Sequence, residues 1–130
     1  MRPMMYSEER KSERIAGEVY RGYEYAVINR GWHPCCYIKI PEGHLFYKKD
    51  YDDIDLDVHG GLTFAGHNLD VAPGVADDGF WIGWDYAHWG DYVGFESYTV
   101  HIFPGKMWSV EELVADCKAA IDQIVEVCEE

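Results

Sequence analysis

The run IDLDVH alternates Ile54, Leu56 and Val58 with Asp55, Asp57 and His59. On a strand, alternate side chains share one face at roughly 6–7 Å spacing, so two carboxylates and an imidazole would line up together. These are hard to borderline metal ligands, and Asp55, Asp57, His59 and His88 are the candidates for a divalent cation. One strand spaces its ligands too widely to share a metal alone, so His67, Asp85 or His88 would have to converge on it. The competing reading is a solvated strand face.

A second concentration of chemistry lies between Trp84 and Asp91, where Trp84, Asp85, Tyr86, His88, Trp89 and Asp91 crowd eight residues. Aromatic faces stack on planar bases, and carboxylates accept from exocyclic amines or ribose hydroxyls, so a small nucleotide-like ligand suits this composition. The ligand site expected on these grounds joins Asp57, His59, Gly60, Gly61, Trp81, Trp84, Asp85, His88 and Asp91. The alternative is that Trp81 and Trp84 are core. Phosphates would find only backbone N–H groups here, such as those of Gly60 and Gly61. Cations would come from Arg21, Arg30 or Lys39 on the N-terminal hairpin, across the sheet or from a second subunit of a homo-oligomer.

No nucleophile elbow, phosphate loop or zinc-helix motif occurs. A thiol nucleophile at Cys35 or Cys36 with a histidine, or an Asp–His88 base pair, is open to almost any chain. The expectation is a binding protein without catalytic residues and without a resident cofactor. A metal-assisted hydrolase is the enzyme alternative.

The formal charge is −13, and from Asp50 to Phe103 there are eleven Asp or Glu and no Lys or Arg. Phosphate neutralisation needs Lys and Arg on the contact surface, so direct nucleic-acid binding is not expected. Spaced carboxylates also suit a cation site or an acidic surface that mimics nucleic acid. No stretch approaches the roughly 20 apolar residues of a membrane span, and MRPMMYSEERKSERIAGE has no apolar run to act as a signal. A cytoplasmic chain is expected, with its four cysteines reduced.

A chain of 130 residues is of single-domain size. The expected fold is α+β, a small, mostly antiparallel sheet of hairpins packed by a C-terminal amphipathic helix. Residues 1–18 are charged and weakly patterned, and read as a mobile arm or short helix. VYRGYEYAVI and CCYIKI flank the turn residues NRGWHP and form a hairpin. After the loop PEGHLFYKKDYDD, IDLDVH and LTFA form a second hairpin about Gly60 and Gly61, which take positive φ readily. Residues 66–79 repeat Gly, Pro and Asp without a period and read as a surface loop long enough to be a lid. FWIGWDY is apolar on both faces, as a central strand is. SYTVHIF is a further candidate strand.

The last element is the best patterned. Ser109 and Glu112 fit a capping box. Val110, Leu113, Val114, Cys117, Ala120, Ile121, Ile124, Val127 and Cys128 then recur on one helical stripe.

Taken together, DVHGGLTF (57–64), WIGWDYAHWGD (81–91) and the preceding GHLFYKKDYDD resemble a family of small uncharacterised proteins common in phages and prophages. Members often carry Phe and Cys where this chain has Trp84 and Tyr86. The resemblance implies a setting in a bacterial host cell more than a reaction. By analogy it implies counter-defence, with an aromatic pocket that sequesters a nucleotide immune signal.

Overall fold

The computed structural model describes residues 13–30, 33–72, 74–86 and 108–129. Five strands form one antiparallel sheet: β1 (Glu13–Tyr20), β2 (Tyr23–Asn29), β3 (Pro34–Ile40), β4 (Phe64–Ala72) and β5 (Val75–Asp85), in the order β1-β2-β3-β5-β4. One helix, α1 (Val110–Glu129), packs against it. The fold is a small α+β fold. No helix among the described residues is long and apolar enough to cross a membrane.

The first hairpin begins earlier than its composition suggests. Residues 13–18, expected as arm or helix, belong to β1 and pair with β2 from Glu13↔Asn29 to Tyr20↔Tyr23. An edge strand tolerates charge on its outer positions, so Glu13, Arg14 and Glu18 do not oppose strand formation there. VYRGYEYAVI is correspondingly two strands. Arg21 (φ 52) and Gly22 (φ 87) turn the chain between them, both left-handed as a type I′ hairpin turn requires.

Residues 66–79 are not a loop. They form most of a β4–β5 hairpin whose strands are joined through residues 73 and 74, with Gly74 at φ 75. Two register shifts, between His67 and Leu69 and between Asp70 and Ala72, break the period-2 pattern. Asn68 sits at the first of them with φ 62. Bulges disrupt alternation locally while the ladder continues on either side, which hides such a strand from a periodicity reading.

The opposite error occurs at residues 54–58, which form no strand. The alternation there is still obeyed: Ile54 and Leu56 are buried and Val58 packs on the same core. The partner is α1 rather than a strand. Gln123 accepts from the Asp57 backbone N–H (2.9 Å) and donates to the Asp57 carbonyl (2.7 Å), satisfying one residue's backbone in both directions as a ladder would.

Period 2 sorts the strand residues into two cores. Tyr25, Val27, Cys36, Ile38, Ile40, Phe80, Ile82, Trp84 and Tyr86 meet Leu113, Cys117, Ala120, Ile121 and Ile124 of α1. Ala26, Ile28, Cys35, Tyr37 and Trp81 point the other way and pack with Leu69 and Val71 of β4. The sheet curls, bringing edge strand β4 within 8 Å of β1 and β2 between Cα atoms. A methyl at Gly83 would collide with the Tyr37 ring and the Cys36 carbonyl, so only glycine fits beside that ring on β5.

The capping box is present in both directions, with Glu112 N–H donating to Ser109 Oγ (3.1 Å) and Ser109 N–H donating to Glu112 Oε1 (3.0 Å). Along the helix stripe, Leu113, Cys117, Ala120, Ile121 and Ile124 are buried, whereas Val110 is exposed at the first turn. The Cys128 side chain lies outside the described residues, as does SYTVHIF.

Candidate functional site

A cavity of about 290 Å³ opens between residues 57–59, the end of β5 and the N-terminal half of α1. Asp57, Val58, His59, Trp84, Trp108, Asp116 and Ala119 line it. Each element delivers its residues for a local reason. The Gln123 clamp holds Asp57 against α1, and the turn after it is closed by Gly61 N–H to the Val58 carbonyl (3.0 Å) with Gly60 and Gly61 at φ 71 and 85. Trp84 comes from the helix-facing side of β5. Asp116 and Ala119 lie three residues apart on α1 and so share a face.

Behind the lining runs a hydrogen-bonded relay. Trp84 Nε1 donates to the Tyr86 hydroxyl (3.0 Å), and that hydroxyl donates to Asp116 Oδ2 (2.7 Å). Since the indole N–H can only donate, the tyrosine proton goes to Asp116, which is fixed as an acceptor at the cavity wall. Burial, then the neighbouring Cys36 and the bond to Asp116, hold the Tyr86 hydroxyl far above the usual tyrosine range, so it stays neutral. His59 stacks on the Tyr86 ring (centroids 4.6 Å, interplanar 11°). Trp108 meets His59 at 69° and Tyr86 at 58°, both at 5.0 Å.

Of the residues expected at a ligand site, the structure brings Asp57, His59 and Trp84 together. Trp81 and Trp84 are separated onto opposite sheet faces, because an odd spacing on a strand reverses the side chain. Trp81 is core on the second face. Asp85 likewise points away from the cavity, where its carboxylate accepts from Thr63 Oγ1 (3.2 Å). Gly60 and Gly61 serve the turn. His88 and Asp91 lie outside the described residues.

The candidate cations are elsewhere too. Arg21 pairs with Asp122 (2.8 Å), anchoring the β1–β2 turn to α1. Arg30 lies over the Tyr37 ring (5.1 Å) and donates to its hydroxyl (3.1 Å), beside the second core. Lys39 pairs with Asp77 (3.1 Å). Asp55 is exposed and does not line the cavity. His67 packs with Tyr47 and Phe80. Among the described residues no three His, Cys, Asp or Glu side chains gather as a metal site.

Trp108, Tyr86 and Asp116 are the parts the sequence pattern did not assign to the site. Asp116 reads as one more solvated acid on the polar helix face, and nothing local marks it as the end of a relay from β5. His44 is another unannounced feature: buried, it accepts the Phe46 N–H at Nδ1 (3.0 Å), so Nε2 carries the proton and donates to the Ile124 carbonyl (3.3 Å).

Thiol chemistry is disfavoured. Cys35, Cys36 and Cys117 are buried free thiols. Burial pushes Cys35 up to about 11 and Cys36 well above its ordinary value, leaving almost no thiolate at neutral pH. In a Cys128→Ser chain, Ellman's reagent at mildly alkaline pH should therefore find no reactive thiol in native protein and three after denaturation. Rapid native labelling of Cys35 or Cys36 would restore the nucleophile reading.

Comparison with protein-family models, with curated proteins and with solved structures finds no match to this chain. The site is accordingly read from its own chemistry.

Proposed function

We propose that this chain is a non-catalytic binding protein whose cavity takes the base of a small nucleotide-like ligand. The observation that supports it is the meeting of the aromatic residues His59, Trp84 and Trp108 with the acidic residues Asp57 and Asp116 in the lining of one cavity. Aromatic faces supply stacking of roughly 1–3 kcal/mol per base, and the carboxylates accept from exocyclic amines. His59 and Tyr86 are stacked directly on each other, which leaves no gap between them for a sandwiched ring. The ligand therefore stacks on one face only, with its donor edge towards Asp57 and Asp116. At about 290 Å³ the cavity is near the small end of ligand pockets, roughly 300–1,000 Å³. It suits a base better than a whole nucleotide. In the phage or prophage setting that the sequence motifs resemble, binding without turnover would sequester a host nucleotide signal.

A thermal-shift panel of nucleosides, nucleotides, cyclic nucleotides and ADP-ribose tests this reading. A ligand at a hundred times its dissociation constant adds about 2.7 kcal/mol, several degrees for a domain of this size. Trp108→Ala should abolish the shift while the unliganded variant still unfolds cooperatively. A panel without any shift overturns the reading and moves the weight to an acidic inhibitor of a host protein, whose affinity would fall with salt.

A further inference from the structure

We infer that the part of the ligand held by this cavity carries a positive charge, so that the site is a cage for an organic cation; the inference rests on the binding role proposed above and narrows its ligand class. Among the described residues, the polar ones lining the cavity are Asp57, Asp116 and His59, with no Lys or Arg. A phosphate placed there would face two acidic residues.

Among the described residues, the neighbouring sources of positive potential are already engaged. The start of α1, which in many proteins receives anions, is closed by the reciprocal Ser109–Glu112 bonds and carries Glu111 and Glu112 in its first turn. Arg21 is paired with Asp122, and Lys118 lies over the Tyr20 ring at 5.4 Å.

What remains is the chemistry that recognises cations. Trp108 meets His59 and Tyr86 at 69° and 58°, so the aromatic walls form a corner rather than a slot. Ring faces attract a cation through their quadrupoles, most strongly for tryptophan. Asp116 is held as an acceptor by the hydrogen bond it receives from Tyr86, and Asp57, positioned through its backbone by Gln123, lines the same cavity. An alkylated purine, a guanidinium or a quaternary ammonium group satisfies both halves of this site. A neutral base gains stacking and amine hydrogen bonds but not the attraction between a full positive charge and the acidic wall.

The test is isothermal titration of the full chain with two matched pairs at constant ionic strength and neutral pH. One pair is 1-methyladenosine, whose ring is cationic, against neutral adenosine. The other is choline against its uncharged isostere 3,3-dimethylbutan-1-ol. We expect 1-methyladenosine to bind at least about tenfold more tightly than adenosine. Asp116→Asn and, separately, Asp57→Asn should erase that preference by weakening 1-methyladenosine far more than adenosine. Asp57 is exposed and serves the fold through its backbone, so its variant keeps the test valid should Asp116→Asn unfold.

Equal binding of the two nucleosides overturns the charge inference and leaves the proposed function standing. Binding of choline alone, lost in Asp57→Asn, supports the cation cage and overturns the nucleotide reading. Binding of none of the four overturns both.

Discussion

Ile121→Asp should leave the chain without a cooperative unfolding transition. Ile121 is fully buried on α1 and belongs, with Cys117, Ala120 and Ile124, to the core that also holds Val27, Ile38 and Trp84 of the sheet. Removing its side chain alone costs about 2–5 kcal/mol through lost transfer energy and the cavity left behind. A carboxyl group adds the penalty of burying a polar or charged group that has no partner at that depth. Against a total stability of roughly 5–15 kcal/mol, the sum consumes most or all of it. The conservative Ile121→Val should cost only about 0.5–1.5 kcal/mol and unfold cooperatively at a slightly lower urea midpoint. Far-UV circular dichroism through a urea titration distinguishes them. A folded Ile121→Asp chain, within about 1 kcal/mol of wild type, would mean that α1 does not rely on this face for docking.

That helix was legible because its information is local. Ser109 and Glu112 specify its start, and a stripe at helical spacing specifies its buried face; both need only the residues themselves. The same holds for the β2–β3 pairing and for β5, whose residues Phe80–Trp84 are apolar on both faces because one face meets the core under α1 and the other the second core. Where partners are remote, the pattern alone misleads. Ile54, Leu56 and Val58 alternate as a strand's residues would, yet the backbone partner at Asp57 is a glutamine amide 66 positions away. In β4 the strand exists, but register shifts around Asn68 and Val71 erase its alternation.

The site shows the same division. Asp57, His59 and Trp84 could be picked out by residue type. Their companions could not, because Trp108 and Asp116 reach the cavity only through the docking of α1. Trp81 and Asp85 carry the right chemistry on the wrong face. That parity is decidable from sequence once β5 is taken as a strand: positions 84 and 86 face α1, whereas 81 and 85 face the second core or its rim. Arg21 and Arg30, sought as phosphate donors, are instead fastened to Asp122 and Tyr37. Among the described residues the cavity lining thus holds no basic side chain, as the acidic segment holds none along the chain.

Tyr86→Phe is the substitution that most directly probes how this site is held in shape. It keeps the ring on which His59 stacks and deletes one oxygen, the acceptor for Trp84 Nε1 (3.0 Å) and the donor to Asp116 Oδ2 (2.7 Å). Cys36 Sγ also approaches that oxygen, at 3.9 Å. The indole N–H of a fully buried Trp84 would be left without its acceptor, and Asp116 would lose its charge-assisted bond. The expected loss is about 2–4 kcal/mol, read as a lower urea midpoint with unchanged slope. Because folding raises the Tyr86 pKa, its neutral form is favoured in the native state; that contribution is complete below the unfolded value of about 10 and declines as pH rises past it. The difference between wild type and Tyr86→Phe should therefore stay constant across neutral pH and shrink only above about pH 10. Trp84→Phe removes the orphaned donor, so the double variant should lose less than the sum of the single losses, with a coupling of about 1–2 kcal/mol. Strict additivity, or a Tyr86→Phe chain within about 0.5 kcal/mol of wild type, would show that Asp116 is oriented at the cavity by α1 alone and not by the relay from β5.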